Sequence, residues 1–415
     1  MIKRIISLLL FFLILSACGQ NKDDNGYAVG VFSQEQSDPK SDPRYGIMGG
    51  PDEDDDQPVT DSPAESAGMV IFYNGPILTM NDAQPTAEAI AIENGKIVAV
   101  GGQDEVFAYQ TDDTLMVDLD GRTLMPGFVD GHSHMFTQYG NLGGSIDAVQ
   151  QQVLASGITT MADMGGGRGE IIDQLREMEA NGELRMRVSM YLNQVSVCGE
   201  NFGYWYEDYP QSIEPGALVH VPGVKIFLDG GACNRPARTV GDLGDLYFSL
   251  EEATQIISDI DARGYQAAVH ALGDRAVEQV LQAMNTVIGD SGNPMRHRIE
   301  HNASVRPELV PLYSDSKPVA MIFGGSVACW WAGTSDRWET AEGESLAWEW
   351  PTAELMAANP DVVFAWHQDV PVWPLGAIEK LWGFVTRKQI AEDGTICEPP
   401  DFALDDTIPV KTALK

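Results

Sequence analysis

From Met69 onward, apolar and polar positions fall into two successive textures. The first is a set of short apolar runs: Val70-Ile71-Phe72-Tyr73, Pro76-Ile77-Leu78-Thr79-Met80, Ala89-Ile90-Ala91-Ile92-Glu93 and Lys96-Ile97-Val98-Ala99-Val100-Gly101. Asn74-Gly75 and Asn94-Gly95 punctuate them, and such dipeptides favour tight hairpin turns. Asp118-Leu119-Asp120-Gly121-Arg122 makes one more turn. Residues 68–125 therefore read as a small β-subdomain.

The second texture alternates strand-like runs with helical ones, the mark of a parallel sheet of βα units. Eight runs qualify: Leu124–Met135, Gly157–Asp163, Met186–Leu192, Gly223–Asp229, Gln266–His270, His297–His301, Pro318–Phe323 and Val362–Asp369. Between the fourth and fifth, Ser249 with Glu252 forms a capping box, Ile256, Ile257 and Ile260 form an apolar stripe, and Gly264 stops the helix. Asp274 reads as the N-cap of the next helix. Eight strands suit a (β/α)8 TIM-like barrel over residues 126–415, an α/β fold whose chemistry sits at the C-terminal strand ends.

The first 67 residues have neither texture. Lys3 and Arg4 precede thirteen largely apolar residues, Ile5 to Ala17, a run too short to span a bilayer but matching a signal-peptide core over 1–17. Leu15-Ser16-Ala17-Cys18 resembles a bacterial lipobox, which makes Cys18 the lipidation site and the only membrane attachment expected; an uncleaved anchor helix is the alternative. Residues 18–67, rich in Asp, Gly, Ser, Pro and Gln, read as a disordered acidic tether spanning on the order of 40 Å r.m.s.. The expected location is outside the cytoplasm, lipid-anchored at the cell envelope: periplasm or outer membrane in a Gram-negative cell.

Composition narrows the partners. With 44% apolar residues, a chain of 415 can bury a large core. Its 61 acidic against 26 basic residues give a net charge of −35, which repels phosphate backbones, so nucleic acid is not an expected partner. A small-molecule substrate is. The oligomeric state is left open. Cys198, Cys233, Cys329 and Cys397 allow three disulfide pairings, or none if the thiols are free.

Candidate chemistry begins at Pro126-Gly127-Phe128-Val129-Asp130-Gly131-His132-Ser133-His134. Strand alternation puts His132 and His134 on one face, where two imidazoles can hold a borderline metal ion such as zinc. This stretch resembles the entry strand of the amidohydrolase superfamily. With Val224-Lys225-Ile226-Phe227-Leu228-Asp229-Gly230, His270-Ala271-Leu272-Gly273-Asp274-Arg275-Ala276-Val277, Arg298-Ile299-Glu300-His301 and Asp369-Val370-Pro371-Val372, it resembles the amidohydrolase 3 family, close to its YtcJ-like branch, over residues 69 to about 410.

The resemblance implies a barrel with a β-sandwich beside it. It implies one or two divalent ions, zinc being expected, held by His132, His134, Lys225, His270, His301 and Asp369. Lys225 would be carbamylated to bridge two ions, with a salt bridge to Asp229 or another acid as the alternative and Cys198 or Cys233 as runner-up bridging ligands. Asp369 would be the catalytic proton shuttle. Trp330, Trp331, Trp338 and Trp373 could wall the substrate mouth.

Three departures stand out. The segment between His134 and Lys225 is short for that branch. Trp366-His367-Gln368 stands where small residues and serine are commoner, so His367 is a second-shell residue or an extra ligand. The chain stops at Lys415, so the C-terminal part of the sandwich is expected to be missing. The expected activity is metal-dependent hydrolysis of a non-peptide C–N bond. A non-catalytic ligand-binding lipoprotein on the same barrel, or an esterase or lactonase using the same site, are the alternatives.

Overall fold

The computed structural model describes residues 68–139, 144–165, 169–231, 233–240, 244–324, 327–331, 347–391 and 393–415. The expected signal peptide, Cys18, the tether and Trp338 lie outside the described residues, as do the side chains of Trp330 and Trp331.

The β-subdomain is a four-stranded sheet in the order Lys96–Gly101, Ala89–Glu93, Val70–Tyr73, Leu115–Asp118, beside a ribbon of Ile77–Leu78 and Thr86–Ala87. Asn94 and Gly95 both adopt positive φ, 51° and 73°, as a tight hairpin between right-twisted strands demands. Alternation gives the sheet two apolar faces. Ile71, Ala89 and Ala91 pack on Val106 of the helix Gln103–Phe107, while Ile90 packs with Ile77 and Leu119 on the ribbon side.

Eight parallel strands follow in strict sequence order: Phe128–Ser133, Ile158–Asp163, Arg187–Asn193, Val219–Phe227, Gln266–Ala271, Arg298–His301, Val319–Phe323 and Phe364–His367. They form the expected barrel, flanked by helices. Just past the eighth strand, the chain meets the end of the first through two backbone bonds at the mouth: Asp369 N–H donates to His132 O (3.0 Å) and His134 N–H to Val370 O (2.7 Å). Gln368 adds its own N–H and its side-chain amide to Asp130, both at 3.2 Å. The fourth strand starts at Val219, four residues before the expected Gly223, because it runs on through an irregularity between His220 and Gly223. Gly223 is needed there, since a Cβ would strike the carbonyl of Gln266 on the next strand.

The helix Leu250–Ala262 carries the expected capping box, with Glu252 accepting from Ser249 N–H (2.8 Å) and Ser249 Oγ accepting from Glu252 N–H (3.2 Å). The next helix, Asp274–Ile288, corrects an expectation. Its N-cap is Gly273, and Asp274 instead accepts from Thr239 N–H (2.9 Å) and Oγ1 (2.7 Å) and pairs with Arg306 (3.1 Å). A side chain at 273 would collide with the backbone of Ala237, so glycine occupies the cap and the aspartate turns to the neighbouring loop.

The cysteines pair as Cys198–Cys233 and Cys329–Cys397, with Cα–Cα separations of 5.2 and 5.1 Å. This removes Cys198 and Cys233 as bridging ligands, because a disulfide sulfur has no thiolate to offer. Among the described residues no helix is long and apolar enough to cross a membrane.

Candidate metal centre

The site is built outward from the first strand. Gly131 lets the strand close over Met321, whose methyl group a Cβ would overlap. His132 is buried, and its Nδ1 lies 2.6 Å from Glu300 Oε2. Arg298 holds that carboxylate from Nη2 at 2.8 Å and also donates to Gly131 O at 2.7 Å. A carboxylate on Nδ1 takes the N–H there and leaves the Nε2 lone pair facing the cavity. That Nε2 is 3.4 Å from Asp369 Oδ1, and His134 Nε2 is 3.3 Å from the same oxygen.

Asp369 lies two residues past the eighth strand rather than in it, at a left-handed φ of 57°. His301 and Asn302 also have positive φ, 69° and 49°. Such backbone is unfavourable for residues with a Cβ and persists only where surroundings enforce it. Here Asn302 does so: its amide donates to Ile299 O (2.9 Å) and Met321 O (3.0 Å), and its oxygen accepts from Tyr313 OH (2.6 Å). The result turns His301 inward, its ring centroid 4.6 Å from both His132 and His270 and its Nδ1 4.0 Å from Asp369 Oδ2. His270 Nε2 is 3.4 Å from Gly230 O and 3.6 Å from Asp229.

Lys225 is fully buried, 4.7 Å above the ring of Phe227, and its Nζ has no hydrogen-bond partner. The salt bridge to Asp229 does not form. Asp229 is occupied by the backbone N–H groups of Ala237 (2.9 Å), Leu272 (3.0 Å) and Gly273 (2.8 Å). Burial lowers Lys225 to about 8, although Glu300 and Asp369 pull the other way.

Burial also keeps the imidazoles neutral, helped by the Lys225 charge. His132 and His301 are held well below their ordinary value, His270 at about 3 and His367 at about 4. For Asp369, burial pushes upward, but the neighbouring His134 and the Lys225 charge outweigh it, and its carboxyl stays below the usual range. Neutral nitrogens around a carboxylate are the protonation states a divalent ion requires. Two sets of donors, His132 with His134 and Asp369, and His132 with His301 and His367, bring their ligand atoms within 4.8 Å of one another. Buried atoms left without hydrogen bonds (Lys225 Nζ, Asp369 Oδ1 and both His367 nitrogens) cluster at this spot. The residues fit a metal ion.

Residues 141–415 match a family model for the amidohydrolase family. The chain belongs to that family. The match starts after His132 and His134, which stand on geometry alone. An imidazolonepropionase of Fusobacterium nucleatum is 22% identical over 258 residues, 49% of this chain and 60% of that protein. An N-substituted formamide deformylase of Arthrobacter pascens is 30% identical over 66 residues, 16% of this chain and 12% of that one. A crystal structure of an uncharacterized metal-dependent hydrolase from Pyrococcus horikoshii OT3 superposes with a TM-score of 0.66 at 16% identity, covering 83% of this chain and 91% of that one, which shows a shared fold. The amidohydrolase chain thus spans three fifths or less of the curated relatives named here.

Sequence reasoning gave Glu300 no role. Strict alternation puts Glu300 opposite His301, and only the left-handed turn at His301 lets both face inward. Asp163 was missed too: it accepts from Phe136 N–H (2.8 Å), Thr137 Oγ1 (2.8 Å) and Gly165 N–H (3.0 Å), fixing the loop beyond His134. Of the four tryptophans, Trp373 has a described side chain. It packs on Phe323 at 5.0 Å, and Phe323 meets His367 at 5.7 Å, so it stands beside the site.

Proposed function

We propose that this protein is a metal-dependent hydrolase of a non-peptide C–N bond in a small molecule: an amide, N-acyl, carbamoyl or cyclic amide compound. The observation that carries the reading is the gathering of His132, His134, Lys225, His270, His301 and Asp369, from the ends of four barrel strands and the turn after the eighth, around one buried centre. Names among the relatives support it, since the formamide deformylase acts on a C–N bond.

A divalent ion, zinc on this donor set, would supply Lewis-acid polarisation of the scissile carbonyl and acidify an attacking water. His132, His134, His270 and His301 would hold it, His132 being oriented by Glu300. Asp369, kept ionised, is placed to take the proton of the attacking water and pass it to the departing nitrogen, as base and then acid. Lys225, at about 8, keeps a fraction of neutral amine near neutrality. That amine can add to CO2, forming an N–C bond and releasing a proton, and the resulting carbamate would offer a metal ion an anionic oxygen ligand. Trp373 and Phe323 would wall the substrate. Lipidation at Cys18 and residence outside the cytoplasm belong to the same proposal, supported by two disulfides of a kind that persists in oxidising compartments.

Metal analysis joined to a screen of N-acyl, carbamoyl and cyclic amide compounds, each beside its matching ester, tests the reading. One or two divalent ions per chain and amide turnover are expected. Replacing His132 and His134 together by alanine should remove the ions and lower turnover about 10³-fold or more, a loss of about 4 kcal/mol. Undiminished turnover in that variant refutes it.

A further inference from the structure

His367 is the last residue of the eighth strand and is fully buried. A neutral imidazole carries one N–H donor and one lone pair, yet neither ring nitrogen of His367 has a hydrogen-bond partner. Leaving such groups unpaired in a core is unfavourable. Its neighbours offer no relief. The His132 ring is stacked on it at 4.9 Å, His301 stands edge-on at 5.0 Å and Phe323 is apolar. The stacking matters, because it aligns His367 with a ring whose Nδ1 is already committed to Glu300 and whose Nε2 faces the cavity. Ligand atoms of His132, His301 and His367 come within 4.8 Å of one another, close enough to close on a single ion.

We propose that His367 is a metal ligand, and that His132, His301 and His367 form a three-histidine seat for a transition-metal ion of the zinc type. The inference rests on the metal-centre reading above and deepens it. Three neutral nitrogens with a fourth position open make a familiar tetrahedral arrangement for zinc and a poor one for magnesium or calcium, which prefer oxygen. The seat shares His132 with the set containing His134 and Asp369. One lone pair serves one ion, so the two sets are alternative positions. An ion seated on the three histidines leaves Asp369 with no ion to neutralise it, free to act as a base.

The test is cobalt(II) loading of chelator-stripped protein, read by equilibrium dialysis and the visible spectrum. His367→Gln should weaken cobalt and zinc binding about 10–100-fold and shift the cobalt bands, while magnesium remains weak in both proteins. His367→Cys should introduce a sulfur-to-cobalt charge-transfer band that His367→Ser lacks, a signature no packing role produces. Unchanged affinity and spectrum in His367→Gln, or no such band in folded His367→Cys, overturns the assignment. His134→Ala separates the two readings. If it loses metal while the His367 variants match the parent, only the three-histidine seat falls; if the parent binds no ion, the metal centre falls with it.

Discussion

Around the barrel mouth, the first and sixth strands and the fourth and eighth treat their buried polar groups differently. On the first and sixth, Arg298, Glu300 and His132 form a continuous chain of hydrogen bonds. On the fourth and eighth, Lys225 and His367 are as deeply buried and have no hydrogen-bond partner. The first pair of strands is complete by itself and presets an imidazole. The second stores unfavourable free energy that an occupant of the site would relieve. Breaking the first should therefore destabilise the empty protein, and simplifying the second should stabilise it.

The largest effect is expected from Glu300→Gln, which strands Arg298 as a buried cation. Loss of one partner of such a pair costs about 3–5 kcal/mol, readable by denaturant titration of the metal-free protein, and an unchanged midpoint would remove the contrast. Lys225→Met should go the opposite way, raising metal-free stability by about 1–4 kcal/mol while abolishing any CO2-dependent metal retention. A destabilised Lys225→Met would mean that the ammonium is already satisfied.

Next in size is a pH effect. Burial lowers His367 to about 4 from its ordinary 6.5. The unfolded chain takes up that proton as pH falls through 6.5, the folded chain only near 4, so this residue weakens folding progressively across that interval and not above it. Compared without metal, His367→Gln should lose less stability than the parent between pH 6.5 and 4.5, by about 1.4 kcal/mol per pH unit. Parallel stability curves would contradict the depressed value. The smallest effect concerns the disulfide: Cys198→Ser with Cys233→Ser should leave metal content unchanged, and a lost ion would restore those sulfurs as ligands.

Much of this was legible from residue pattern. Alternation and turn dipeptides placed the subdomain strands, and the eight apolar runs placed the barrel. His132, His134, Lys225, His270, His301 and Asp369 are readable as candidates from the phrases that hold them. What escaped was set by contacts distant in sequence. Glu300 meets His132 across 168 positions, and nothing local to either marks the pair. Asp274 carried a sound local capping signal that a close approach by Ala237 overrode. The cysteine pairing needed the fold itself, because 35- and 68-residue separations carry no preference that spacing can express.

The two backbone bonds joining the chain just past the eighth strand to the end of the first have a consequence for assembly. Their four participants are His132, His134, Asp369 and Val370, so the bonds that shut the ring are made largely by the groups that would grip the ion. A chain arrested before its last βα unit docks would have neither a closed cylinder nor a competent binding site. Uptake of a divalent ion during refolding should for that reason come late and report the arrival of the final strand.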